Sequence, residues 1–331
     1  MTPDAAVRCE ACHAPLLPDD RFCEECGARA GAEPDTTDGA EVGCELCGAA
    51  ADAFDADGYC GVCGMRRRQP GSRVEVDLVL AAAVSDQGRV HHRNEDAFHL
   101  ELVQDAVLAV VCDGISSSTA SNAASRAAAD GAGAVLAAAV RDGTDVVRAT
   151  TDAADAAHAA VGRVPATSRA DLGVPSCTLI SAVCTEEEIT VGWIGDSRAY
   201  WIAASDTRQL TVDDSWAYEQ VSLGLLSHDE AARDPRAHAI TRWVGSDAPG
   251  GPPQIVVERP REPGRLILCS DGLWNYAPSA DLVARLLEAL PAESSPVAVA
   301  RALTDTALAR GGHDNITVAV VDLPPRRRPQ P

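Results

Sequence analysis

The chain contains no lysine, so all 28 of its basic residues are arginines. That absence excludes Schiff-base chemistry and the phosphate-gripping lysine of a P-loop. Aromatic residues are also scarce, at 4% of 331 residues, whereas alanine is abundant. The core must then be aliphatic and the helices alanine-rich. No apolar run reaches the roughly 18 uncharged residues of a membrane-spanning helix. The opening Met1-Thr2-Pro3-Asp4 lacks the basic and apolar regions of a signal peptide. Both absences predict a soluble, cytoplasmic protein with no membrane partner. Positive charge is outweighed: 49 acidic residues leave a formal net charge of −21. A general nucleic-acid binder needs clustered cations and is disfavoured. A phosphopeptide ligand is not, because bound dications reverse the local sign.

What is present begins with cysteine. Eight of the twelve lie before residue 64, in two foursomes. Cys9 and Cys12 precede Cys23 and Cys26; Cys44 and Cys47 precede Cys60 and Cys63. In a reducing compartment such Cys-x-x-Cys pairs indicate metal rather than disulfides. Two knuckles per foursome make a closed tetrahedral Zn²⁺ site, structural rather than catalytic. Redox dithiols are the weaker alternative, because no βαβ pattern surrounds the pairs. Residues 1–65 hold fourteen acids against three arginines, a net of −11. This tandem zinc ribbon is therefore expected to bind a protein partner and not nucleic acid. Arg66-Arg67-Arg68-Gln69-Pro70-Gly71 reads as a linker.

Beyond it, acidic motifs follow one another where apolar segments run out. Asn94-Glu95-Asp96 comes after Ser85-Asp86-Gln87-Gly88. Then come Val110-Val111-Cys112-Asp113-Gly114, Gly195-Asp196-Ser197-Arg198, Leu268-Cys269-Ser270-Asp271-Gly272 and Gly312-His313-Asp314-Asn315-Ile316-Thr317. Carboxylates at strand mouths suit hard divalent cations such as Mg²⁺ and Mn²⁺. Asp-Gly alone is ordinary turn chemistry; Asp113 and Asp271 stand out because each follows a buried apolar run. The pattern predicts strands over 76–84, 106–112, 177–184, 189–194, 199–203, 265–269 and 315–321. Helices are predicted over 119–140, 144–161, 281–290 and 297–310. Blocks of strands and blocks of helices favour an α+β fold.

The order and wording of these motifs resemble the metal-dependent PPM/PP2C serine/threonine protein phosphatases, over roughly residues 76 to 322. The resemblance implies an αββα sandwich of two antiparallel sheets flanked by helices, with metals at one end. It implies two Mn²⁺ or Mg²⁺ ions that activate a water for in-line attack on phosphorus, without a covalent phosphoenzyme. Asp113 would bridge the ions and the Gly114 carbonyl would bind one. Asp271 and Asp314 would hold the other, and Glu95 and Asp96 would act through water. Asp196 would contribute to a third, weaker position, and Asn315 and Ser197 would orient their neighbours. Substrates would be phosphorylated proteins, including a serine/threonine kinase or its targets. The expected organisation is ribbon 1 over 1–30, ribbon 2 over 40–65, a linker over 66–74, the phosphatase domain over 75–322 and a basic tail over 323–331.

The chain departs from the family pattern in three places. His91 stands where an arginine usually grips the substrate phosphate, leaving His91, Arg89 and Arg93 as candidates. Ile115-Ser116-Ser117-Ser118 replaces a glycine- or histidine-containing loop. Asn275 replaces an aspartate four residues after Asp271. His91 and the altered loop motivate one alternative, a pseudophosphatase that binds phosphopeptides with little turnover; the intact Glu95, Asp96, Asp113, Asp271 and Asp314 oppose it. Residues 216–243 resemble the family's mobile flap.

Overall fold

The computed structural model describes residues 43–44, 47–55, 58–64, 71–166 and 173–323. The first cysteine foursome and the arginine triplets at 66–68 and 326–328 lie outside the described residues. Two antiparallel sheets form the centre of the molecule. The first contains β1 (Arg73–Asp77), β2 (Ala81–Asp86), β8 (Arg198–Ala203), β9 (Thr207–Gln209), β12 (Gly264–Cys269) and β13 (Ile316–Leu323), in the order β1-β2-β13-β12-β8-β9. The second contains β3 (Ala97–Val103), β4 (Ala106–Cys112), β6 (Leu179–Cys184), β7 (Ile189–Ile194) and β11 (Gln254–Glu258), in the order β11-β7-β6-β4-β3. A short pair, β5 (Ser176–Cys177) with β10 (Val244–Gly245), stands apart.

Strand alternation sorts the side chains into three cores. Along β4, Val107, Ala109 and Val111 face the other sheet, whereas Ala106, Leu108, Val110 and Cys112 face helices. Those helices are α1 (Ser121–Asp142) and α2 (Val146–Val161). Their alanines, Ala124, Ala128 and Ala132 among them, are fully buried and let the helices lie close to the sheet. On the opposite side, Ile267 and Cys269 of β12 and Val318 and Val320 of β13 face a third core. Helices α5 (Asp271–Trp274), α6 (Ala280–Glu288) and α7 (Pro296–Ala309) complete it. The expected α+β sandwich with helices on both outer faces is the observed fold.

One predicted strand, 76–84, is a hairpin. The chain turns at Leu78-Val79-Leu80, with Val79 at φ +70° and its N–H donated to Asp77 Oδ1 at 2.8 Å. A run that is apolar apart from Asp77 concealed that turn. The predicted strand 177–184 is broken at Thr178, whose N–H is diverted to the Asp113 carbonyl at 2.8 Å. Residues 216–243 carry two short helices, α3 (Trp216–Ser222) and α4 (His228–Arg233).

Candidate active site

The acidic motifs converge because β2, β4, β12 and β13 all run out at one end of the sandwich. Asp113 follows β4, Asp271 follows β12 and opens α5, and Asp314 precedes β13. Glu95 and Asp96 lie between β2 and β3, and Asp196 lies between β7 and β8. Glu95, Asp96 and Asp196 are buried.

Burial holds the Asp113 carboxyl well above the ordinary carboxylate range, and the carboxylates of Asp96, Asp271, Asp314 and Asp196 push it further. Burial with the same repulsion raises Asp96 to about 7 and Asp271 to about 7. Asp196 is also raised, by burial and then by Asp271. Asp96 Oδ2 accepts the Ser270 hydroxyl at 2.7 Å, while its Oδ1 is buried without a hydrogen-bond partner. Hard oxygens that repel one another, with one buried lone oxygen among them, are a donor set matched to divalent cations.

Glu95 behaves differently. Burial opposes its ionisation, but the Ser116 and Ser121 hydroxyls and the Arg93 guanidinium beside it hold its carboxyl below the ordinary range. Ser116 Oγ donates to Oε2 at 2.7 Å and Arg93 Nε to Oε1 at 2.9 Å. The departure at 115–118 thus supplies a hydroxyl that fixes Glu95. The departure at Asn275 supplies an amide donor to Asp271 Oδ2 at 3.3 Å.

Backbone contacts set the loops. Gly114 has no room for a side chain, since a Cβ there would stand 2.5 Å from the Glu95 carbonyl and 2.8 Å from that of Ser121. Asp113 donates its N–H to Thr178 Oγ1 at 3.0 Å, and that hydroxyl pairs with Ser197 Oγ at 2.9 Å. The three phosphate candidates are engaged differently. His91 Nε2 pairs with Asp314 Oδ1 at 3.2 Å. Arg89 Nε donates to the Leu308 carbonyl at 2.9 Å, at the end of α7. Arg93 stands on Glu95 with its side chain 36% exposed. Arg198 is committed elsewhere, to Asp213 at 2.6 Å and the Trp274 ring at 4.0 Å.

Sequence reasoning did not assign roles to Ser116, Thr178, Ser270 or Thr317. Ser85 Oγ and Thr317 Oγ1 pair at 2.7 Å, Asn94 Nδ2 donates to Ser85 at 2.8 Å, and Ser270 Oγ receives the Thr317 N–H at 3.0 Å. Only Ser270 carried a signal, its place directly before Asp271. Thr178 and Thr317 lie within apolar stretches of the sequence and look like ordinary β residues, and Ser116 looks like a loop serine.

A model of the protein phosphatase 2C family matches residues 87–306. The chain belongs to the protein phosphatase 2C family. Its members are hydrolases, and this chain is a serine/threonine phosphatase of that type. A serine/threonine phosphatase of Listeria welshimeri is 28% identical over 251 residues, covering 72% of this chain and 93% of that protein. The catalytic domain of the phosphatase PstP, solved with two manganese ions, superposes with a TM-score of 0.56 at 26% identity, over 76% of this chain and 99% of that one. A bacterial serine phosphatase superposes with a TM-score of 0.64 over 75% of this chain and 99% of that one; at 24% identity it speaks to the fold alone.

The second cysteine foursome forms a cluster. The sulfurs of Cys44, Cys47, Cys60 and Cys63 all lie within 4.8 Å of one another. Cys44 and Cys63 are 3.5 Å apart and Cys47 and Cys60 3.7 Å, too far for disulfides. A tetrahedron with Zn–S of about 2.3 Å has an edge near 3.8 Å. Among the described residues, no helix is long and apolar enough to cross a membrane.

Proposed function

We propose that the chain hydrolyses phosphoserine and phosphothreonine in protein substrates with two Mn²⁺ or Mg²⁺ ions. Asp113, the Gly114 carbonyl, Asp271 and Asp314 would hold them, with Asp196 available to a third. When bound, such ions activate a water and offset the charge of the phosphoryl group. The observation that carries this reading is the convergence of Asp113, Asp196 and Asp271 from distant segments, with ionisation suppressed by burial and by mutual repulsion.

Glu95 and Asp96 line the same end of the sandwich and would act through metal-bound water. Arg93 is the phosphate contact. It borders the carboxylates through Glu95 and keeps an exposed guanidinium, whereas Arg89 is turned onto α7 and His91 onto Asp314. A planar fork of donors then meets two phosphate oxygens.

The sulfur geometry supports a structural Zn²⁺ on Cys44, Cys47, Cys60 and Cys63. The matching spacing of Cys9, Cys12, Cys23 and Cys26 supports a second. The acidic ribbons would act as an adaptor for a protein partner, and the phosphatase would act in the cytoplasm.

Phosphate release from a phosphothreonine peptide, with and without Mn²⁺, tests this reading. Turnover should require the metal. Arg93→Gln should raise KM by about tenfold, the value of one charge-assisted contact, while Arg89→Gln leaves KM near the parent. The reverse ranking would move the phosphate contact to Arg89, and metal-independent turnover would defeat the mechanism.

A further inference from the structure

The segment carrying α3 and α4 returns to its own starting point. Ser215 and Ile240 form a β-bridge, and the Trp216 N–H donates to the Ala239 carbonyl at 2.8 Å. Asp214 stands at this base, 9% exposed, with every polar atom engaged. Its N–H donates to the Gly195 carbonyl at 2.9 Å, and its carbonyl accepts the Thr241 N–H at 2.8 Å. Its Oδ2 accepts the Gly195 N–H at 3.0 Å and faces Arg242 Nη1 at 3.5 Å. Its Oδ1 accepts from Gln254 Nε2 at 2.8 Å.

Gly195 immediately precedes Asp196 and lies at φ +107°, where a Cβ would stand 2.8 Å from Thr178 Cγ2. The peptide that carries Asp196 is therefore held between Thr178 on one side and Asp214 on the other. Arg242, the cation facing Asp214, follows the returning segment directly and is itself tied to the Pro252 carbonyl at 2.5 Å. A largely buried carboxylate that loses its cation must turn towards water or take up a proton. Either response weakens its grip on the Gly195 N–H.

We propose that Asp214 is a positioning residue that couples the 215–240 segment, through Arg242, to the backbone carrying Asp196. A protein substrate that displaces this segment would thereby reset one carboxylate of the metal cluster. Only this consequence for turnover rests on the phosphatase reading; the coupling itself stands on the geometry.

Hydrogen exchange followed by mass spectrometry on the metal-free full chain tests the coupling without using activity. Arg242→Gln should speed exchange of the peptide holding Gly195, Asp196 and Ser197 by about tenfold or more, although these residues lie far from the substitution in sequence. Arg242→Lys keeps a cation and should stay close to the parent. Exchange that rises only over 240–252 in Arg242→Gln would overturn the proposal. Turnover of a phosphothreonine peptide adds a second arm. In an Asp196→Asn background, Arg242→Gln should lower kcat by less than about twofold further, because coupled residues are not additive. Full additivity would contradict the coupling. A parent enzyme with no metal-dependent phosphate release would defeat the phosphatase reading, and the exchange result would still decide the coupling.

Discussion

The side-chain oxygen of Asn315 accepts the Glu95 N–H at 2.7 Å, although the two residues are 220 positions apart. The Asn315 Nδ2 reaches the same loop twice more, donating to the Gln87 carbonyl at 2.7 Å and the Arg93 carbonyl at 3.0 Å. One buried amide thus fastens the 87–95 loop, with Glu95 and Arg93 on it, to the start of β13 beside Asp314. Asn315→Ala would leave the buried Glu95 N–H and two carbonyls without these partners. Loss of about 2–4 kcal/mol of stability is expected at roughly 1 kcal/mol or more per group. Metal-dependent turnover should fall by at least about tenfold, since displaced groups no longer meet the substrate. Thermal unfolding together with peptide hydrolysis checks both effects; an unchanged midpoint would remove the loop-fastening role.

His99 gives the fold a pH dependence away from the carboxylate cluster. The Asp130 carboxylate, 3.9 Å from Nδ1, raises its pKa above 6.5, against burial and with further help from Glu101, 3.3 Å from Nε2. The folded state therefore favours the protonated ring. The stabilisation is fully present below the ordinary imidazole pKa and is lost as pH rises through the raised one. The difference in unfolding midpoint between the parent and His99→Gln should be larger near about pH 6 than near about pH 8.5. A gap that stays constant over that range would show that the ring does not titrate with folding.

The cysteine cluster makes a stoichiometric prediction. The purified full chain should retain about two zinc ions through dialysis, one for each foursome. Cys44→Ser and Cys60→Ser should each reduce that to about one, because a closed four-thiolate site tolerates no missing ligand. Elemental analysis reads the result directly. Two zincs retained in both variants would place the metal elsewhere.

Much of this architecture could be read from the sequence because it rests on periodicity. The fully buried runs β4, β6 and β7 were visible as apolar stretches, and the carboxylates were visible as breaks in them. The hairpin at Leu78-Val79-Leu80 was hidden because its turn is built from apolar residues and one Asp77 side chain, without glycine or proline. The networks of Ser270, Thr317, Ser85 and Asn94 were hidden for a different reason. Each is defined by a partner distant in sequence or on another segment, and a serine, threonine or asparagine looks the same whether or not it holds one of the clustered carboxylates in place. The three phosphate candidates could be named from the sequence, but only the distinct contacts of His91, Arg89 and Arg93 separate them.

The most direct test compares phosphothreonine-peptide hydrolysis, with and without Mn²⁺, in the parent and Asp113→Asn. The Asp113 carboxyl is held above its ordinary range by burial and by its four acidic neighbours, so its charge opposes folding in the metal-free chain. Asp113→Asn should therefore leave the metal-free protein as stable as the parent or more so. Its Mn²⁺-dependent turnover should fall by about a hundredfold or more, because the ligand central to the cluster is gone. Near-parent turnover in the folded variant would contradict a metal centre built on Asp113.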